Sequence, residues 1–348
     1  MIAAIALVLA PAAASPASRA DVLAFAPKPD ATVDKSFTLR HELVVQTMKL
    51  EGAEGSQVSQ QGLQVTSDVT LETTDTFRGI EGGRPKALRR LFRVAGITVD
   101  QVIAGGGEER AVTWVGDTPL KTASVVFDWV PEEGDYGRHY DERENLEEYL
   151  GGLREDLDLR ALLPKAGTEG IAVGSSWAID PAGLVDVFGA GGEVPRVFVS
   201  GGSGFLAKPI ASGVAGPLAQ VFGGELKGEA RATWKETREE NGARLAVVDL
   251  RVKLETKRDQ TASARATRRT EELLDELAIA RASIEWKFEG EGTLLWNLGA
   301  GRFESLTLGG REEVANDISF GNENEPSSRQ LLSMAGALKI TATAKTVE

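Results

Sequence analysis

The sequence predicts an α+β fold: mainly long, curved antiparallel β strands, with a few helices packed on one face. Three observations predict it. Apolar and polar residues alternate over long runs, Asn241-Gly242 sits between two such runs, and several stretches carry leucines at helical spacing. Alternation sends successive side chains to opposite faces of a strand, whereas recurrence at three and four residues marks one face of a helix.

In chain order, Phe37, Leu39, His41, Leu43 and Val45 alternate with Thr38, Arg40, Glu42 and Gln46. Leu63, Val65, Val69 and Leu71 alternate with Gln64, Thr66, Asp68, Thr70 and Glu72. Residues 81–103 read two ways: Leu88, Leu91, Phe92 and Ala95 have helical spacing, while Ile97-Thr98-Val99 favours a strand. Ala123, Val125, Phe127 and Trp129 mark another strand. Leu146, Tyr149, Leu150, Leu153 and Leu157 then predict a helix from the acidic start at Asp141, which Gly151-Gly152 weakens by about 2 kcal/mol. Asp180-Pro181 reads as an N-cap followed by a first-turn proline, with Gly189 closing a short helix.

The clearest hairpin follows. Residues 226–238 alternate Ala230, Ala232 and Trp234 against Arg231, Thr233 and Lys235. Ala246, Val248, Leu250, Val252 and Leu254 share one parity of the next run, and Asn241-Gly242 joins the two because both residues tolerate positive φ. Leu273, Leu274, Leu277 and Ala278 suggest a helix. Ile284, Trp286, Phe288, Leu294 and Trp296 then share one strand face, with Gly290 and Gly292 reading as a bulge or sharp bend. Gly299-Ala300-Gly301 turns the chain into 302–308, and 327–336 reads as a last helix before a final strand over 338–344. Three divisions follow: a signal peptide at 1–20, a β-rich half with a helix at 21–164, and a second β-rich half at 165–348. The same order of parts occurs in both halves, which suggests a duplication; one continuous domain is the alternative. Residues 189–224 form a glycine-rich, nearly uncharged insertion, too apolar for a solvated linker and expected to cover a sheet or a cavity mouth.

Composition narrows the function. The 348 residues carry a formal net charge of −13, which disfavours nucleic acid and anionic lipid. There is no cysteine, which excludes disulfides and thiolate metal sites; the two histidines, His41 and His139, lack metal-binding spacing, so no metal is expected. Ile2 to Ala14 is an apolar run too short to span a bilayer, which needs about 20 residues. It suits a signal-peptide core, with Ser18 and Ala20 at the −3 and −1 positions of a cut before Asp21, although no basic residue precedes it. Export to the periplasm or beyond is therefore expected, with no transmembrane segment in the mature chain.

Two motifs invite chemistry. Val197 to Ala207 looks like the strand and glycine turn of short-chain dehydrogenases, with Gly201, Gly202 and Gly204 where a pyrophosphate would approach. No βαβ unit flanks it and no Tyr-x-x-x-Lys occurs, so no NAD(P) or other cofactor is expected. Asp135, Tyr136, Arg138, His139 and Glu142, with Tyr140 and Asp141 among them, form the densest polar cluster and are the candidate ligand-binding or acid–base residues. The same cluster suits a solvated loop before an acidic helix start. His41 lies on an apolar face and reads as a satisfied core histidine.

Two further stretches carry a resemblance. Leu157 to Pro164 with Val173 to Trp177, and Gly290 to Leu298 with Gly301-Arg302-Phe303, resemble an exported bacterial domain-of-unknown-function family of mainly antiparallel β proteins. The resemblance implies mixed antiparallel sheets and brings no substrate or catalytic residue. The leading expectation is thus a non-enzymatic exported protein that binds an apolar small molecule or another envelope protein in a concave sheet. The alternatives are a hydrolase using carboxylates and His139 and, behind it, an NAD(P)-dependent dehydrogenase built on Gly201–Gly204.

Overall fold

A computed structural model describes residues 22–52, 55–58, 62–105, 108–141, 149–165, 171–200, 225–262, 264–265, 278–321 and 326–347. The first half contributes β1 (Thr32–Gly52), β2 (Gly55–Val58), β3 (Gly62–Glu81), β4 (Arg84–Gly105), β5 (Glu108–Asp117), β6 (Ser124–Val130) and β7 (Asp135–Tyr140). The second contributes β8 (Ser176–Ile179), α1 (Val185–Phe188), β9 (Val197–Ser200), β10 (Lys227–Glu240), β11 (Ala243–Asp259), β12 (Ile279–Asn297), β13 (Arg302–Gly321) and β14 (Pro326–Thr346).

These strands form one 14-stranded antiparallel sheet whose main path runs β7-β6-β4-β3-β1-β14-β13-β12-β11-β10-β8. The chain's two ends meet in its middle, where β1 pairs with β14 from Val33↔Thr346 to Gly52↔Ser328. Strand β4 divides its length, pairing with β6 over Ala87–Leu91 and with β5 over Ile97–Gly105, and β5 pairs in turn with β9.

The α+β expectation is overturned: among the described residues the protein is almost all antiparallel sheet, 71% strand and 6% helix with one short helix, and no layer of helices covers a face. The expected helix over 327–336 is the first half of β14, hydrogen-bonded to β1 and β13 along its whole length. Its leucines mislead because Leu331 and Leu332 are both half-buried, on opposite faces. The helical part of 81–103 is likewise strand throughout. The helix expected to run through Leu157 is not formed by the described residues 149–163: Leu159 takes a left-handed φ of 57°, and only a 3-10 turn, Arg160–Leu162, follows. Its apolar positions were placed correctly, since Leu150, Leu153 and Leu157 are buried. The helix expected at 273–278 falls on residues that, Ala278 apart, lie outside those described.

The Asn241-Gly242 turn forms as expected, with φ of 49° and 78°. Asp180 caps as expected, its carboxylate accepting from the Ala182 amide at 3.1 Å, and Gly189 ends α1. The bulges of β12 lie between Ile279 and Arg281 and at Leu295/Trp296, not at Gly290 or Gly292. Gly290 faces Gly310 across the ladder, and a Cβ at either would strike the partner strand's backbone. Two glycines there let neighbouring strands close on one another.

Burial alternates strongly, so the sheet has an inner and an outer face. The outer face carries cross-strand ion pairs such as Arg251–Glu291 at 3.3 Å and Lys253–Glu289 at 3.5 Å. The inner face holds one core that includes residues from both halves of the chain. Residues 149–163 and 180–196 lie against that face and touch strands on both sides of the β1–β14 seam. Arg90 of β4 donates to the carbonyls of Arg154 and Glu155, while Phe188 meets Trp286 and Phe288 of β12 edge-on, each at 5.3 Å. Reaching both sides from one segment requires the sheet to curl around it.

Candidate functional site

The residues singled out from the sequence lie on β7. Tyr136, Arg138 and Tyr140 share the inward parity; Asp135 and His139 face out. The Tyr136 hydroxyl donates to the Pro85 carbonyl at 2.7 Å, and its ring packs edge-on to Trp129. Burial pushes its phenol above the usual range. Arg138 donates to the Leu153 carbonyl at 2.7 Å and lies 3.3 Å from Asp135. His139 is exposed and sits 3.6 Å from Asp128, not from Asp135. Glu142 lies outside the described residues, as do 201–204 of the glycine turn. Within the described set, Asp135 and Arg138 are brought together and His139 is not.

Polar groups concentrate instead on the inner face, at two levels. The first level closes one end. Lys35 lies 2.9 Å from Asp75 and 2.7 Å from Asp158, the latter off the angle of a hydrogen bond. Arg90 grips Asp75 through two nitrogens at 2.9 and 2.8 Å. Arg160 lies 2.5 Å from Glu155 and 3.2 Å from Asp156. Lys35, Asp75, Arg90 and Asp158 are almost wholly buried, and Phe77 and Phe127 lie within about 5 Å of the Lys35 and Arg90 charges. Burial opposes ionisation of Asp75, yet Arg90 and then Lys35 outweigh it and hold that carboxyl at about 2. Burial pushes Glu155 up to about 8 despite Arg160, and raises Asp158 despite Lys35. Three cations thus face four carboxylates, an arrangement that ties residues 154–160 to β1, β3 and β4 and retains a proton at neutral pH.

The second level is a polar belt part-way along the strands. His41 is paired with Ser67, Ser67 with Val99, and Val99 with Trp114, so one row crosses β1, β3, β4 and β5. Gln101 is the next inward residue of β4, and all four polar side chains are buried. From the other side of the seam, Glu312 lies 2.8 Å from His41 Nδ1 and its carboxylate accepts from the Trp286 indole at 3.2 Å. His41 Nε2, Ser67 Oγ and Trp114 Nε1 are buried without a hydrogen-bond partner among the described residues. Orphaned polar atoms in a native interior call for water or a ligand.

Beyond the belt the strands run on, and the inner face carries aliphatic residues with Asn316 and Gln330 among them. Met48, Leu63, Ile103, Ile318 and Leu332 are half-buried there, and Leu50 is 46% exposed. Leu43 with Val65, and Met334 with Val314 at the level of Val45, stand fully buried between belt and open end.

The expectation for His41 is met in part: Nδ1 is satisfied and Nε2 is not. The rest of the belt was missed, although its mark was present. Ser67 interrupts Leu63, Val65, Val69 and Leu71, and Glu312 follows Leu306 and Leu308, at the inward parity. No group of residues among those described could hold a metal ion.

No family model matches the chain, and no curated protein does. Among solved structures, an outer membrane channel from Pseudomonas putida F1 aligns with 96% of this chain and 100% of its own at 8% identity, with a TM-score of 0.21. A score that low carries no argument about this chain. No helix among the described residues is long and apolar enough to cross a membrane, which says nothing of strands.

Proposed function

We propose that this is a non-enzymatic binding protein that holds an apolar ligand against the open end of its inner sheet face. The observation that carries the reading is the half-buried apolar surface of Met48, Leu50, Leu63, Ile103, Ile318 and Leu332, continuous with the core but outside its fully buried part. Contiguous exposed apolar surface on a folded protein marks a place where something binds. The charged outer face argues against the sheet presenting that face to lipid, since a membrane barrel is apolar outside. We place the protein outside the cytoplasm, in keeping with the apolar run Ile2 to Ala14 and the absence of cysteine. No catalytic step is assigned.

The test is fluorescence titration with N-phenyl-1-naphthylamine, a dye that brightens in apolar surroundings. Saturable brightening is expected, weakened by roughly tenfold or more in Ile318→Asp, because a carboxylate there would have to be desolvated by the ligand. A dye that does not bind, or that binds equally to the variant, overturns the reading.

A further inference from the structure

The closed end carries a device that ligand binding at the open end does not need. We infer that residues 150–163 are a clasp joining the sheet's two edges, and that ionisation of the buried Glu155 carboxyl releases this clasp while the sheet stays folded.

The sheet's main path ends at β7 on one side and at β8 on the other, and these two strands do not pair. One short stretch reaches both. On the β7 side, Arg138 donates to the Leu153 carbonyl at 2.7 Å, and Arg90 of β4 donates to the carbonyls of Arg154 and Glu155 at 2.8 and 2.7 Å. On the β8 side, the Trp177 indole donates to the Leu162 carbonyl at 3.0 Å. The chain just after α1 grips the stretch as well: the Arg154 amide donates to the Gly191 carbonyl, and the Glu193 amide to the Gly152 carbonyl. Within the stretch the backbone supports itself through single turns, Leu153 to Leu150, Leu162 to Leu159 and Leu163 to Arg160. Leu150, Leu153, Leu157, Leu159 and Leu162 hold it down, and donors from other elements fix its place. A segment with so few backbone bonds of its own opens at lower cost than a laddered sheet.

The charges supply the switch. Glu155 is buried, with one oxygen 2.5 Å from Arg160 and the other without a hydrogen-bond partner among the described residues. From its own stretch Arg160, Asp156 and Asp158 face it, from β4 Arg90, and from β7 Tyr136. Behind these stand Asp75 of β3 and Lys35 of β1, and Asp186 of α1 lies 3.0 Å from Arg154. With one carboxyl protonated, Lys35, Arg90 and Arg160 face three carboxylates; with none protonated they face four, and the extra charge is buried without compensation. Burial holds Glu155 at about 8 against an ordinary 4.5. Its proton therefore favours the closed form fully below 4.5, and that contribution is lost as pH rises through 8. Burial raises Asp158 and Asp186 too, in the same direction, while Asp75 at about 2 stays ionised throughout.

Hydrogen exchange of the full chain without ligand tests this at pH 6.5 and pH 9, read as protection factors corrected for the base-catalysed chemical rate. The reporters are the amides of Arg154, Leu162 and Glu193, each hydrogen-bonded in the clasp; the reference is 245–255 of the β10–β11 hairpin. The reporters should lose protection by about tenfold or more between the two pH values, as one proton shifted over this range requires. The hairpin should keep its protection, and circular dichroism should not change. Glu155→Gln, which cannot ionise, should hold the reporters at one level at both pH values. Reporters that do not change, reporters and hairpin that lose protection together, or a loss that persists in Glu155→Gln overturns the clasp. Should that variant fail to fold, the parent's own titration decides: a midpoint within about one unit of 8 supports the assignment, and a midpoint outside that window overturns it.

Discussion

The two ends of the inner face are built from the same strands and behave as opposites. At the closed end, residues 149–163 press Leu150, Leu153, Leu157 and Leu162 onto the sheet, and three carboxylates, Asp75, Glu155 and Asp158, are buried beside Lys35, Arg90 and Arg160. At the open end, the inward residues are uncharged and partly exposed: Met48, Leu332 and Asn316 form one row, and Leu50, Gln330 and Ile318 the next. The difference teaches where the sheet's specificity lies. An ion network in a dry interior is costly to form and more costly to break, so it selects one placement of one segment. An aliphatic surface makes no such selection and suits a ligand whose only demand is to leave water.

The largest expected effect comes from breaking the closed end. Arg90→Met leaves Asp75 with Lys35 alone and strands the carbonyls of Arg154 and Glu155, and should cost about 3–5 kcal/mol in urea unfolding. The double variant Arg90→Met with Asp75→Leu should recover part of that loss; a double variant as unstable as the two losses added together would mean that the two residues do not act as a pair.

Core truncation compares the ends directly. Leu157→Ala should cost about 2–5 kcal/mol, while Leu50→Ala should cost less than about 1 kcal/mol because Leu50 is already half in water. Equal losses would erase the distinction between a packed end and an open one.

The pH profile is a smaller effect, with opposite signs in two windows. Glu155, at about 8 in the fold, lies above its ordinary value of 4.5, so the folded state holds the extra proton and stability is lost as pH rises through that interval. Asp75, at about 2, lies below its ordinary 3.8, so its contribution is present above 3.8 and is lost as pH falls towards 2. The melting temperature should therefore decline from pH 5 to pH 8, and Glu155→Gln should flatten that decline. A profile of the variant identical to that of the parent would show that the proton resides elsewhere. The smallest effect belongs to the outer face: Arg251→Ala should change stability by about 0.2–1 kcal/mol, as exposed ion pairs generally do.

Much of the sheet was legible because alternation is a local property. The inward sets of β1, β3, β11 and β12 and the turn at Asn241-Gly242 needed nothing beyond neighbouring residues. The errors share one cause. Residues 327–336 and 149–163 carry apolar residues at helical spacing, but tertiary pairing decides their conformation: β14 is held from both sides by β1 and β13, and residues 154–155 are gripped by Arg90. The belt was harder to see. Ser67 and Glu312 lie far apart in the chain, and only the seam between β1 and β14 brings His41 of one half against Glu312 of the other. A polar residue at an inward position is visible in sequence; its level relative to those on other strands is a matter of register, which no single strand records.

The most direct test of the contrast between the ends is hydrogen exchange with and without hexadecan-1-ol. We predict that the alcohol slows amides in 45–50, 316–320 and 330–334, and leaves 150–162 unchanged. Slowing confined to 150–162, or no change at the open end under saturating alcohol, would contradict the assignment of that end as the place where the ligand sits.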